Sequence, residues 1–247
     1  GGTLACNLSG PARPWRGSIR DAVLGLQLIN GRGELLNFGG KVMKNVAGYD
    51  VSRLQAGAMG TLGIITEVHL KVLPAPETEL TLVYEMDAPD ALATMNQRAA
   101  STKPLSAACW IDGRLYLRLS GADSAVRHTV HSCGGELCDS PPWAQLRDMT
   151  LPFFRGPAPL WRLATAATAP FDTQAPTLLD WGGAQRWYRH APPVRHPGSH
   201  LALVAGGDRS GEVRGELEPV QQLLQRRLKQ AFDPLGIFNP GRLYSWM

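Results

Sequence analysis

Ala58-Met59-Gly60-Thr61-Leu62-Gly63-Ile64-Ile65-Thr66, taken together with Gly1-Gly2-Thr3-Leu4-Ala5-Cys6-Asn7-Leu8-Ser9-Gly10, decides how this chain is read. Both segments are punctuated by glycine, and the first runs directly into β-branched residues. Glycine lacks Cβ and tolerates φ > 0, so such a backbone can approach a bulky ligand closely. Successive N–H groups exposed in turns of this kind form concave anion sites. Taken singly, each segment reads equally well as a surface turn, because short glycine patterns are common.

Around these segments the chain divides at Pro74-Ala75-Pro76. Upstream, Ile19 to Asn30 predicts a strand, Gly31-Arg32-Gly33 a turn and Glu34 to Phe38 a return strand. Val46 to Gln55 predicts a short helix weakened by Gly48. Gly57 to Gly63 is a loop, and Ile64 to Leu73 alternates as a half-buried strand. Downstream, Thr78 to Glu85 has strand propensity. Asp87 caps a helix running to about Ala100, with Ala91, Leu92, Met95 and Ala99 on one face. Asp112-Gly113 predicts a type I′ hairpin between Ser106–Asp112 and Leu115–Ser120. Ser124 to Cys133 is a second helix, closed by Gly134-Gly135. Strand character returns at Leu160–Thr168, Thr177–Tyr188 and Leu201–Ala205, and Glu216 to Phe232 is a strong amphipathic helix stopped by Asp233-Pro234. This order predicts an α+β architecture.

Composition narrows the function. The 247 residues carry 25 Lys and Arg against 21 Asp and Glu, a net charge of +4. The densest basic runs, Arg226-Arg227-x-Lys229 and Arg13-x-x-Arg16, are too short for a nucleic-acid stripe. No apolar run reaches the ~18 residues of a membrane span. The start at Gly-Gly-Thr shows no signal peptide and predicts a chain that begins partway through a longer protein. Cys6, Cys109, Cys133 and Cys138 form no CxxC pair, so free thiols are expected rather than zinc or iron–sulfur ligands.

The two glycine segments together resemble the second half of the FAD-binding domain of the vanillyl-alcohol-oxidase (PCMH-type) flavoproteins. Two further stretches strengthen the likeness: Lys41 to Asp50 (KVMKNVAGYD) and Phe232 to Arg242 (FDPLGIFNPGR). So do Trp161-Arg162-Leu163 and Asp180 to Trp187 (DWGGAQRW). Within that class the chain resembles the glycolate and D-lactate oxidoreductases, and most of all the smaller FAD-binding subunits of bacterial glycolate oxidases. The resemblance covers essentially the whole chain.

The resemblance implies residues 1–74 as the second subdomain of the FAD module, with the first subdomain absent. It implies an α+β cap over 75–232 and a tail, 233–247, returning to the module. Gly2, Thr3, Asn7 and Gly10 would line the flavin ribityl and pyrophosphate. Gly60, Thr61, Gly63, Ile64 and Ile65 would offer backbone groups to the adenosine half, and Asn239 would return near the isoalloxazine. A turn-forming Asn before Pro is the other reading of Asn239. The implied function is FAD-dependent oxidation of glycolate within an assembly of a catalytic FAD subunit and an iron–sulfur subunit. The implied location is the cytoplasm, peripheral at the inner membrane through that assembly. A self-sufficient flavin oxidase of a small 2-hydroxy acid and a docking subunit with a vestigial flavin remain open.

The departures matter. The metal-dependent members carry a His-x-Gly-Asp-Gly-Asn-x-His stretch and a Glu-His-Gly stretch, neither of which occurs here, so no metal site is expected. The nearest lookalike, Gly206 to Gly211, lacks flanking histidines. Arg162, Arg186 and Arg242 are candidates to hold a substrate carboxylate, with structural ion pairing or contact with a partner subunit the alternative, favoured for Arg186 and open for Arg242. No residue reads as a base, and the catalytic residues stay unassigned. The aromatic stretch around Trp143, Phe153, Phe154 and Trp161 is expected to be an exposed docking surface.

Overall fold

The computed structural model describes residues 1–42, 50–171 and 177–247. Residues 43–49, the bulk of the KVMKNVAGYD motif and the first part of the expected 46–55 helix, lie outside the described residues. The chain forms two compact units. One comprises Gly1–Ser9, Gly17–Leu73 and Glu216–Met247, the other Gly10–Arg16 and Pro74–Gly215.

The first unit is built on three antiparallel strands, β1 (Val23–Ile29), β2 (Leu35–Gly39) and β3 (Ile64–Leu70), in the order β2-β1-β3. Leu4, Val23, Leu26 and Leu28 form its core against Phe38, Ile65, Val68 and Phe232. The expected strand from Ile19 is corrected at its start, because Ile19–Ala22 is a helical turn. A capping box overrides β-propensity there. The Asp21 amide donates to Ser18 Oγ at 3.3 Å, and Asp21 Oδ2 accepts from the Ser18 amide at 2.8 Å. Helix Pro219–Phe232 also belongs to this unit, whereas the sequence placed it in the cap. Its Leu228 and Phe232 pack on Ala58, Leu62, Tyr244 and Met247, which draws the helix and the tail into one cluster.

The second unit carries eight antiparallel strands: β4 (Thr78–Glu85), β5 (Leu105–Ile111), β6 (Arg114–Gly121), β7 (Glu136–Leu137), β8 (Leu160–Ala164), β9 (Thr177–Asp180), β10 (Gln185–Arg189) and β11 (His200–Ala205). Their order is β11-β8-β10-β9-β5-β6-β4-β7. Helix Ala88–Ala99 starts at Asp87, whose side chain accepts from the Asp90 amide, and covers one face through Ala91, Leu92 and Met95. Val126 of helix Asp123–Cys133 joins the same cluster. The β5–β6 turn has φ 47° at Asp112 and 79° at Gly113, both left-handed as a type I′ turn requires.

Two expectations are corrected in this unit. Thr177–Tyr188 is two strands, because Asp180 caps a 3-10 turn over Trp181–Gly183 that reverses the chain. The aromatic stretch is not uniformly exposed: Phe153 and Trp161 are half-buried, and the other two aromatics turn inward. Trp143, Leu146, Leu151 and Phe154 are buried against Ala107, Cys109, Ile111, Leu178 and Trp187, closing the second face of the sheet. The Trp143 indole N–H donates to Thr81 Oγ1 at 2.8 Å, which satisfies its polar edge on burial.

Candidate functional site

The first unit brings the two glycine segments into contact. The Gly57 amide donates to the Leu4 carbonyl at 3.1 Å, and the Met59 amide to the Ala5 carbonyl at 2.8 Å. Asn239 joins them, its Nδ2 donating to the Met59 carbonyl at 2.8 Å. Its side chain therefore does more than shape a turn. A Cβ on Gly60 would stand 2.8 Å from that same Nδ2, so only glycine leaves room for the tie. Left-handed backbone clusters here: Asn7 at φ 49°, Gly57 at 92°, Met59 at 56° and Gly60 at 69°. Left-handed Asn7 and Met59 cost conformational energy that the surrounding contacts must offset.

Gly2–Ala5 forms one helical turn rather than an extended loop, since the amides of Ala5 and Cys6 reach back to the carbonyls of Gly1 and Gly2, each at 2.9 Å. Gly1, Gly2 and Thr3 are exposed, and a Cβ on either glycine would meet nothing within 4 Å. Asn7 Oδ1 and Gln55 Nε2 are buried without a partner among the described residues. This is the arrangement a ligand with both acceptors and donors would complete, because a buried polar group lacking a partner destabilises the fold.

Three of the expected residues, Thr61, Gly63 and Ile65, have a part in holding the loop and its strand. Thr61 is fully buried, its Oγ1 donating to the Ala58 carbonyl at 2.7 Å. A Cβ on Gly63 would lie 2.5 Å from the Ile29 carbonyl and 2.9 Å from the Leu28 side chain, so strand packing alone demands glycine there. Ile64 is exposed, and Ile65 packs into the core of the unit. Gly10 makes its contacts in the second unit, where its carbonyl accepts from Trp181 Nε1 at 3.1 Å.

The loop is also held by a pair that the sequence shows only as part of a basic run (Lys229) and as a helix stop (Asp233). Lys229 Nζ donates to Asp233 Oδ2 at 2.7 Å and to the carbonyls of Thr61 and Phe238, both at 2.8 Å. Asp233 accepts in turn from the amides of Ile237 (3.2 Å) and Phe238 (2.8 Å). Three segments, 58–63, 229–233 and 237–239, are thereby fastened around one ion pair. The available signal was Lys and Asp at i and i+4 at the end of a helix.

Burial raises the Asp233 pKa, but Lys229 and the amides of Phe238 and Ile237 outweigh it and hold the carboxyl below its ordinary value of 3.8. A depressed carboxyl contributes stability that is present above the unfolded pKa and is lost as pH falls through the folded one. The melting temperature is therefore expected to drop as pH falls below about 4. The pH dependence of Asp233→Asn should be flatter there, and parallel curves would remove Asp233 from the cause.

The three candidate arginines separate cleanly. Arg186 is fully buried and donates to the carbonyls of Gly183 (3.1 Å), Pro170 (2.5 Å) and Ala169 (2.6 Å). Its guanidinium is consumed by the fold. Arg242 is exposed on the tail. The side chain of Arg162, in β8, has no hydrogen bond or ion pair among the described residues. Asp180 is a titratable group that the sequence did not single out. Burial pushes its pKa up to about 7, while its oxygens accept from the Trp181 amide at 2.7 Å and Gln185 Nε2 at 3.3 Å. Among the described residues, no group of three or more His, Cys, Asp and Glu side chains is placed to hold a metal ion.

No family model matches the chain. It is similar to the glycolate oxidase subunit GlcE of Escherichia coli, 42% identical over 256 aligned positions that span 99% of this chain and 71% of that protein. Against the glycolate oxidase subunit GlcD of Bacillus subtilis it is 43% identical over 93 residues, 38% of this chain and 20% of that one. Against a D-lactate dehydrogenase of Archaeoglobus fulgidus it is 26% identical, spanning 98% of this chain and 69% of that one. The fold is similar to that of an alkyldihydroxyacetonephosphate synthase structure, with a TM-score of 0.62 at 16% identity over 97% of this chain and 58% of that one. With 42% identity over 99% of its length to the Escherichia coli subunit, the chain belongs to the glycolate oxidase subunit GlcE family.

Proposed function

We propose that this chain is the FAD-binding subunit of a glycolate oxidase or dehydrogenase assembly. It works beside a catalytic FAD subunit and an iron–sulfur subunit, and assists the oxidation of glycolate to glyoxylate. The observation that carries this reading is the meeting of Gly2–Leu8 with Gly57–Gly60 and Asn239, which leaves open glycine surface beside the unpartnered Asn7 Oδ1. These features fit a dinucleotide, whose phosphates are held by backbone N–H groups and whose rings lie on apolar side chains.

FAD, when bound, supplies the two-electron acceptor. Gly2 and Thr3 offer the exposed amides of a first helical turn, which lack intrahelical acceptors. Asn7 offers its free side-chain oxygen, and Asn239 fixes the height of the Met59–Gly60 turn. Lys229 and Asp233 hold that turn from below. Among the described residues no helix is long and apolar enough to cross a membrane.

The test is an absorbance spectrum of the protein purified with its assembly, followed by rapid mixing of the separated subunit with glycolate. A flavin spectrum that glycolate does not bleach in the separated subunit is expected. Absence of flavin would leave a docking subunit, and rapid bleaching would make the chain an oxidase in its own right.

A further inference from the structure

On the eight-stranded sheet, cross-strand partners share a face, so the register places Ala202 of β11, Arg162 of β8, Trp187 of β10 and Leu178 of β9 side by side in one row. Leu160, two residues before Arg162, lies on the same face. Two members of the row are incomplete. Arg162 has no acceptor among the described residues, and its charged neighbours, Arg214 and Arg13, are both cations. Trp187 is only 5% exposed, yet its Nε1–H is buried with no acceptor among the described residues. Trp161 also has an unpartnered Nε1, but adjacent residues of a strand point to opposite faces, so it does not join the row.

A guanidinium and an indole N–H are donors only. Whatever completes them must be an acceptor, and the guanidinium charge favours an anion. A planar carboxylate matches the guanidinium fork with two parallel hydrogen bonds. Leu178 and Ala202 of the row, and Leu160 on the same face, are apolar and of modest size, which suits a short carbon stem better than the fully polar surface of phosphate. His200, on the same face and paired with Ala164, is exposed and marks an open end of this region.

We propose that Arg162 and Trp187 form a binding site for the carboxylate of a small organic acid. Arg162 clamps both oxygens, and the Trp187 indole N–H donates to one of them. That the acid is a 2-hydroxy or 2-oxo acid rests on the function proposed above; that a carboxylate binds does not.

The indole N–H resonances of the purified protein, followed during titration with glycolate, test the site directly. The Trp187 signal is identified by its loss in Trp187→Phe. It is expected to move saturably with glycolate and to stay in place with ethylene glycol, which lacks the carboxylate. Arg162→Gln should weaken the apparent affinity about tenfold or more, and Arg162→Lys should weaken it less, since charge remains but the fork is lost. A Trp187 signal unmoved by glycolate overturns the proposal without any variant having to fold. So does an equal response in Arg162→Gln, and so does tighter binding of inorganic phosphate than of glycolate. A titrating Trp187 in a protein that holds no flavin would leave this site standing while the flavin reading fails. A flavin-bearing protein with a silent Trp187 would do the reverse.

Discussion

Asp233→Ala is expected to be the most damaging single substitution in the first unit. The carboxylate has no solvent exposure, and the Lys229 side chain is only 12% exposed. Removing the anion strands the ammonium among carbonyls and leaves the amides of Ile237 and Phe238 without their acceptor. Breaking a buried pair from one side costs about 3–5 kcal/mol. For a protein of this size that lowers the melting temperature by roughly 10 °C. The double variant Lys229→Met/Asp233→Ala should recover part of the loss, because it removes the stranded charge as well. The bound flavin should fall with the fold, since the Phe238–Asn239 segment is anchored by this carboxylate. A shift smaller than about 2 °C in Asp233→Ala would show that the pair is not what joins the three segments.

Gly63→Val is expected to cost roughly 3 kcal/mol or more, through overpacking against atoms that cannot give way. The new Cβ would meet the Ile29 carbonyl at 2.5 Å, which is backbone of the central strand, and Leu28, which is fully buried. Gly33→Ala is the control. It also lies at positive φ, 77°, but a Cβ there meets nothing within 4 Å, so its cost should be the conformational one alone, about 1 kcal/mol. The two readouts separate two reasons for the glycine. If melting temperature and flavin content fall together in Gly63→Val, strand packing is the reason. An unchanged melting temperature with lost flavin would mean that the glycine faces the ligand.

What could be read from the sequence was local. Thr78–Glu85, the Asp87 cap and the Asp112-Gly113 turn each depend on residues within one element, and the structure has them where propensity and capping put them. Ile19–Ala22 was misread because a strand-like run hid a Ser18–Asp21 capping box. The exposure of Trp143 and Phe154 was misread because counting Trp and Phe cannot tell which surface they cover; for these two it is the chain's own sheet. In the candidate site, the glycines and Asn239 were visible as motifs. Their division of labour was not, because it depends on neighbours far along the chain. Gly63 answers to Ile29, and Gly60 to Asn239. Asp233 looked like punctuation before Pro234, and only the fold shows it meeting Lys229 and, through Lys229, the Thr61 carbonyl. Arg162 was one of three candidate arginines, and the structural role already favoured for Arg186 is met by backbone carbonyls rather than by an ion pair.

The first unit is drawn from three separate stretches, Gly1–Ser9, Gly17–Leu73 and Glu216–Met247, with most of the second unit encoded between the last two. On the ribosome, β1, β2 and β3 therefore emerge well before the helix and tail that cover Ala58 and Leu62. At ordinary elongation rates of about 5–20 residues per second, the interval between Leu73 and Glu216 is roughly 7–30 s. During that time the second unit's Pro74–Gly215 has been delivered in one piece, while the three-stranded sheet waits with an open flank. Premature termination inside the helix Pro219–Phe232 would thus release chains whose larger unit is all but complete and whose first unit is not. Such chains would expose apolar surface to chaperones and proteases, so quality control of the first unit turns on the stretch Glu216–Met247.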